Sequence, residues 1–243
     1  MIAAEEVASR PHRPGRTQVG PPPHVATGLA ALAVAVTGVV SLAAGGASPF
    51  ALPATVSGHH SAEVFSALCL IVAATALAFG SAVISARLQF LAPNAPGPLI
   101  AGAGVLVGSG LLAVSGGLLW VLSTAGGAGQ PLRHALAAGA FAAGGPAAAA
   151  VVGVSVLGLA VTSWFLRTVP RGLALAGMVL AAADVTAMVL TLAGGTALAP
   201  VAGAAVALSL GYLALTSGLL PRTRGPRPRP GPAVGAGGPG RAS

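Results

Sequence analysis

The sequence predicts an all-α fold, a polytopic transmembrane bundle of six spans with both termini cytoplasmic. Three observations predict it. Only 7% of the 243 residues are charged and 55% are hydrophobic, whereas a soluble domain carries about 25% charge. The apolar residues gather in six continuous runs of about 20 residues, each long enough to cross a hydrocarbon core of roughly 30 Å as a helix. A transmembrane strand would instead alternate over about 10 residues. The basic residues, all arginine, sit mainly at the ends of these runs and in the two tails.

The elements follow in chain order. Residues 1–24 carry Arg10, Arg13 and Arg16 and the run Pro21-Pro22-Pro23. Proline removes backbone donors and blocks a helix, so this leader is expected to be a disordered tail. Span 1 covers residues 25–44. It exceeds a signal-peptide core of about 7–15 residues. The small residues at 43–47 would suit a signal peptidase, but an uncleaved span is the expectation. Spans 2 and 3 cover 62–85 and 99–122.

Span 4 is placed at 146–166. One helix over 135–166 would be roughly 48 Å long, so a break is expected at Gly144-Gly145-Pro146. Pro146 then lies in the first turn, where its missing N–H costs little. Residues 135–143 become a short helix on the far face or a re-entrant piece, the surface helix being preferred over a functional broken helix. Spans 5 and 6 cover 172–193 and 198–220. Residues 221–243, rich in Pro, Gly and Arg, lack the apolar content needed to offset the entropy of ordering and form a second disordered tail. The chain thus divides into tail 1–24, membrane domain 25–220 and tail 221–243.

Orientation follows from arginine, which is retained on the cytoplasmic side. With six spans, eleven of the twelve arginines fall on one side and only Arg133 on the other. The net charge of +8 is therefore read as a topology signal, and no nucleic-acid partner is expected. The partner that composition does imply is the lipid bilayer of a bacterial cytoplasmic membrane. Anionic lipid at the basic tails, a membrane-protein partner and a homo-oligomer are the further candidates.

Asp184 is the sole ionisable residue in the middle of a span. It lies 13 residues beyond Arg171, roughly 20 Å along the helix. An ionised carboxylate there costs at least ~2.5 kcal/mol and needs a partner or water. It is read either as a proton or cation site, or as a protonated acid bonded to a neighbouring helix. Counted from the nearest arginines, Ser155, Thr75 and Ser209 lie at similar depth, and Thr37 and Ser109 fit the same layer. Tyr212, one turn from Ser209, is positioned to donate to Asp184. These residues form a candidate intramembrane polar site for a small solute or water. Against it, Ser and Thr in membrane helices ordinarily bond to their own i−4 carbonyls.

His59, His60 and Glu63 cluster at the outer mouth of span 2, with His134 on the same side. Imidazole and carboxylate can ligate zinc or copper. Without a spacing such as HExxH, the preferred reading is a solvated helix start with Glu63 near the positive dipole end. No metal site, cofactor site or catalytic residue is assigned. No histidine lies mid-span to hold haem. The single cysteine, Cys69, allows no intrachain disulfide and disfavours thiol redox chemistry. No phosphate-loop or zinc-protease motif is present, and no Ser, His and Asp share one depth. An enzyme is not expected.

Gly104-x-x-x-Gly108 is a close-packing motif, read as internal helix packing. Trp120 and Trp164 lie near span ends, where amphipathic rings prefer the interface. The ends of spans 4 and 6 repeat: Leu159-Ala160-Val161-Thr162-Ser163 and Leu213-Ala214-Leu215-Thr216-Ser217. This points to three similar hairpins. At residues 162–173, TSWFLRTVPRGL, the chain resembles an uncharacterised bacterial six-span membrane family, a domain of unknown function. That family joins its fourth and fifth spans by an elbow matched here by Ser163, Phe165-Leu166, Pro170-Arg171 and Gly172-Leu173. Arg167-Thr168-Val169 is an insertion relative to that pattern. The resemblance implies six spans and no known activity. Two functions are therefore weighed: a non-enzymatic accessory or scaffold component, and a small transporter or proton-coupled permease using Asp184.

Overall fold

Ala, Leu and Val dominate the apolar runs, and a run without water must satisfy its backbone internally, so helix is the result. The computed structural model describes residues 23–44, 50, 60–91, 96–127, 129–194 and 199–219. Among them there is no strand. The helices are α1 (Pro23–Ala44), α2 (His60–Leu91), α3 (Gly97–Thr124), α4 (Gln130–Ala142), α5 (Ala148–Leu166), α6 (Arg171–Gly194) and α7 (Ala199–Leu219). A π-helical turn, Ala143–Ala147, joins α4 to α5. Six helices are long and apolar enough to cross a membrane, with Gln130–Leu166 counted as one. Most of the two tails lies outside the described residues, although Pro23 and His24 already belong to α1.

That 37-residue helix corrects one expectation. Gly144-Gly145-Pro146 does not break the chain into a surface helix and a span. Proline lacks an N–H and its ring clashes with the carbonyl four residues back. A π turn widens the helix by one residue and absorbs that misfit. Gly144, Gly145 and Pro146 are buried, so the wide turn lies inside the bundle. Ser115 of α3 donates to the Ala140 carbonyl at 2.8 Å and ties the preceding turn to its neighbour.

Consecutive spans are neighbours: α1 packs on α2, α2 on α3, α3 on α5, α5 on α6 and α6 on α7, while α1 and α7 close the ring. Glycine sets the approach of several pairs. A Cβ at Gly116 would lie 3.0 Å from the Ala67 carbonyl of α2, and one at Gly158 would lie 3.1 Å from the Gly97 carbonyl of α3. Gly104 faces Ser155 and Gly108 faces Val152. The motif thus packs α3 onto α5 within one chain. Phe50, buried, is wedged between α1 and α7 against Gly203. The two repeated ends behave alike. Thr162 bonds the Gly158 carbonyl and Thr216 the Tyr212 carbonyl, each at 2.7 Å, and Ser163 and Ser217 are both buried.

The α5–α6 elbow is short because Arg167 turns left-handed, φ 52° and ψ 32°. It is the sole positive-φ non-glycine residue among those described. Val169 is buried and anchors the loop. Leu173 N–H donates to the Pro170 carbonyl at 2.9 Å, which starts α6.

Candidate functional site

Asp184 lies on α6 with no exposed surface. Ser209 Oγ of α7 donates to its Oδ2 at 2.5 Å. Its Oδ1 is buried and has no hydrogen-bond partner. From α5, Gly153 is the third wall: a Cβ there would lie 2.8 Å from Asp184 Cβ and 3.3 Å from Oδ2. Three helices therefore enclose one half-satisfied carboxyl group. Beside it, a groove of about 380 Å³ runs between α5 and α6. It is lined by Gly153, Val154 and Leu157 on one side and Met178, Ala181 and Val185 on the other. The groove has one hydroxyl on its wall, Thr186, which is bonded to the Ala182 carbonyl.

Of the five residues singled out by depth, the structure brings two together, Asp184 and Ser209. Ser155 lies two residues from Gly153 and so at nearly the same depth. A step of two residues turns the helix by about 200°, and Ser155 points at Gly104 of α3 while bonding the Val151 carbonyl. Thr75 is exposed and bonds the Ile71 carbonyl at 2.8 Å. It is also off level. Gly104 faces Ser155 and Gly102 faces Ser85, which puts residue 83 at the Ser155 level and Thr75 roughly 12 Å away along α2. Counting from Arg87 misplaced it in part because α2 continues four residues further to Leu91, which accounts for about half of that offset.

Tyr212 does not face Asp184. Its ring packs against Gly177, which Ala160 of α5 also approaches. Gly177 lies seven residues before Asp184 on α6, about 10 Å toward the elbow. The phenol oxygen is buried without a hydrogen-bond partner. Thr37 and Ser109 are buried and bond the Ala33 and Leu106 carbonyls of their own helices.

Gly153 and Gly177 are the residues that sequence reasoning missed. Gly153 makes room for Asp184 and Gly177 for Tyr212. In a chain with 36 glycines, composition does not single them out.

At the opposite end, His60 Nδ1 lies 2.9 Å from the Ser123 carbonyl. Glu63 is 1% exposed, so the reading of a solvated helix start is corrected for that side chain alone: Glu63 faces the bundle, while His60 and Ser61 beside it are exposed. His134 is exposed on α4. His59 lies outside the described residues. Among the described residues, no three His, Cys, Asp or Glu side chains come together as a metal cluster. A carboxyl with one hydroxyl donor, enclosed by apolar walls, can hold a proton or tie helices together. It presents too few polar groups to define a larger solute. Compared with known protein families, curated proteins and solved structures, the chain matches none.

Proposed function

We propose that this chain is a non-enzymatic accessory or scaffold component of a bacterial cytoplasmic membrane, spanning it six times with both tails in the cytoplasm. The observation that carries this reading is where the buried hydroxyls go. Thr37, Ser41, Ser109, Ser155, Thr162, Thr191 and Thr216 all bond carbonyls of their own helices. These hydroxyls are satisfied within their own helices, Ser115 and Ser209 are spent on cross-helix bonds, and the grooves on the flanks are apolar, so little is left to bind a solute. Recognition is then left to the outer faces of the helices and to the arginine-rich tails. These suit a membrane-protein partner, a second copy or anionic lipid, and not nucleic acid.

The second reading is a small transporter or proton-coupled permease. One observation favours it: Asp184 is fully enclosed with one oxygen unpartnered, and intramembrane acids commonly mark ion paths. A single pair of experiments separates the two. The full chain is tagged, crosslinked in native membranes and purified with whatever accompanies it. It is also reconstituted into vesicles carrying a pH-sensitive dye. A stoichiometric partner and no proton flux supports the accessory reading. Flux that disappears in Asp184→Asn at unchanged yield overturns it.

A further inference from the structure

The elbow between α5 and α6 holds two guanidinium groups with no carboxylate beside them among the described residues. Arg167 is the first residue beyond α5 and Arg171 the first of α6, and both are exposed. The described acids lie elsewhere. Asp184 is 13 residues along α6, roughly 20 Å away. Glu63 sits in the first turn of α2, whose neighbour there is the far end of α3, since Gly116 packs on Ala67. The α3 end near the elbow is the other one, where Gly97 meets Thr162. Two exposed arginines in one elbow concentrate positive charge, which an anion at a low-dielectric lipid surface would meet with less screening than in open water.

The elbow also has an apolar base. The Arg171 guanidinium lies over the Trp164 ring, 5.8 Å from its centroid. A guanidinium stacked on a ring by its face keeps its in-plane N–H donors free for other acceptors. Phe165, 77% exposed, and Leu166 flank it. Arg167 is held in a left-handed conformation that glycine adopts at no steric cost. The chain spends 36 glycines elsewhere and places arginine here. Guanidinium pairs favour the oxygens of a phosphate, which accept two parallel hydrogen bonds from each fork. Indole, phenyl and leucine side chains favour the glycerol and upper acyl region beneath it.

We propose that the α5–α6 elbow binds the phosphate of an anionic phospholipid headgroup through Arg167 and Arg171, with Trp164, Phe165 and Leu166 against the lipid below. The site is built from elbow residues alone. It rests on the membrane placement of the previous section, with this elbow at the cytoplasmic leaflet.

The test uses the full chain in a Trp120→Phe background, so that Trp164 is the only indole. Fluorescence is read in mixed micelles containing either phosphatidylglycerol or phosphatidylcholine, each brominated near the head of the acyl chain. Wild-type elbow should be quenched preferentially by phosphatidylglycerol. Arg167→Gln and Arg171→Gln should each reduce that preference about fivefold, and Arg167→Lys, which keeps the charge without the fork, should fall between wild type and Arg167→Gln. Arg167→Gly guards against misfolding. It relaxes the left-handed residue, so it should melt no lower than wild type and still lose the preference. Equal quenching by the two lipids, or a preference unchanged in the Gln variants, overturns the site while the membrane reading stands. Inorganic phosphate that displaces the brominated phosphatidylglycerol overturns a lipid source in favour of free anion. Quenching by neither lipid overturns the membrane reading itself.

Discussion

Gly153 and Asp184 show how one missing carbon sets a site. A methyl group at 153 would lie 2.8 Å from Asp184 Cβ, a distance that forces α5 and α6 apart. Overpacking of this kind costs about 1–3 kcal/mol, against about 0.5–1 kcal/mol gained by replacing glycine within a helix. Gly153→Ala is therefore expected to lower the melting temperature in detergent. Gly110→Ala on α3, where a Cβ meets nothing within 4 Å, should raise it. Equal effects from both would show that contact with Asp184 is not what fixes residue 153. Asp184 itself was legible in the sequence, since a lone acid deep in an apolar run must find a partner. Ser209 was legible by depth. The orientation of Ser155 was not, because depth along a helix carries no information about azimuth. Tyr212 was misjudged for the same reason: one turn from Ser209 is close in sequence, but its ring extends toward Gly177 instead.

At the level of elements, six apolar runs of sufficient length announced themselves, because each helix satisfies its own backbone. Their ends were harder to read. Arginine is a good helix former and its stem can lie along apolar surface, so α2 runs four residues past Arg87. Residues 144–146 were correctly singled out as irregular, but propensity says where an α-helix is strained and not how the strain is absorbed. A π turn is one residue inserted into an α-helix. Deleting Pro146 removes both the insertion and the residue that cannot donate, and it keeps α4 in register with α5. The deletion is expected to leave the fold intact, with a detergent melting temperature near that of wild type. Deleting Val151 is the contrast. It rotates everything before it by about 100° relative to the rest of α5 and takes the Ala140 carbonyl away from Ser115. That variant should melt far lower or fail to accumulate. Similar losses from the two deletions would argue that the extra residue is part of the packing and not a tolerated insertion.

On the scale of the whole molecule, neighbour order is the simplest that six hairpin-linked helices permit, with α1 and α7 closing the ring. The faces that meet were not legible, because the helices are apolar all round. Leu32, Phe79, Val179 and Leu192 are exposed while Leu70, Leu77 and Leu210 are buried, and nothing in their chemistry distinguishes them. Orientation rests on charge alone. Eleven of twelve arginines lie on the side of the tails and the α5–α6 elbow if all six helices cross, and Arg133 on α4 lies on the other. Cationic loops resist translocation, so a bias this large should give one orientation. Alkaline phosphatase, active only after export, should be silent when fused beyond the C-terminus and active when fused at Gly127, between α3 and α4. A fluorescent protein that matures only in the cytoplasm should give the reverse pattern, and should fluoresce at the N-terminus too. Termini reporting from opposite compartments would mean an odd number of crossings. One of the six helices would then lie outside the bilayer, and α1 is the first candidate, because the small residues at its end, 43–47, would suit a signal peptidase.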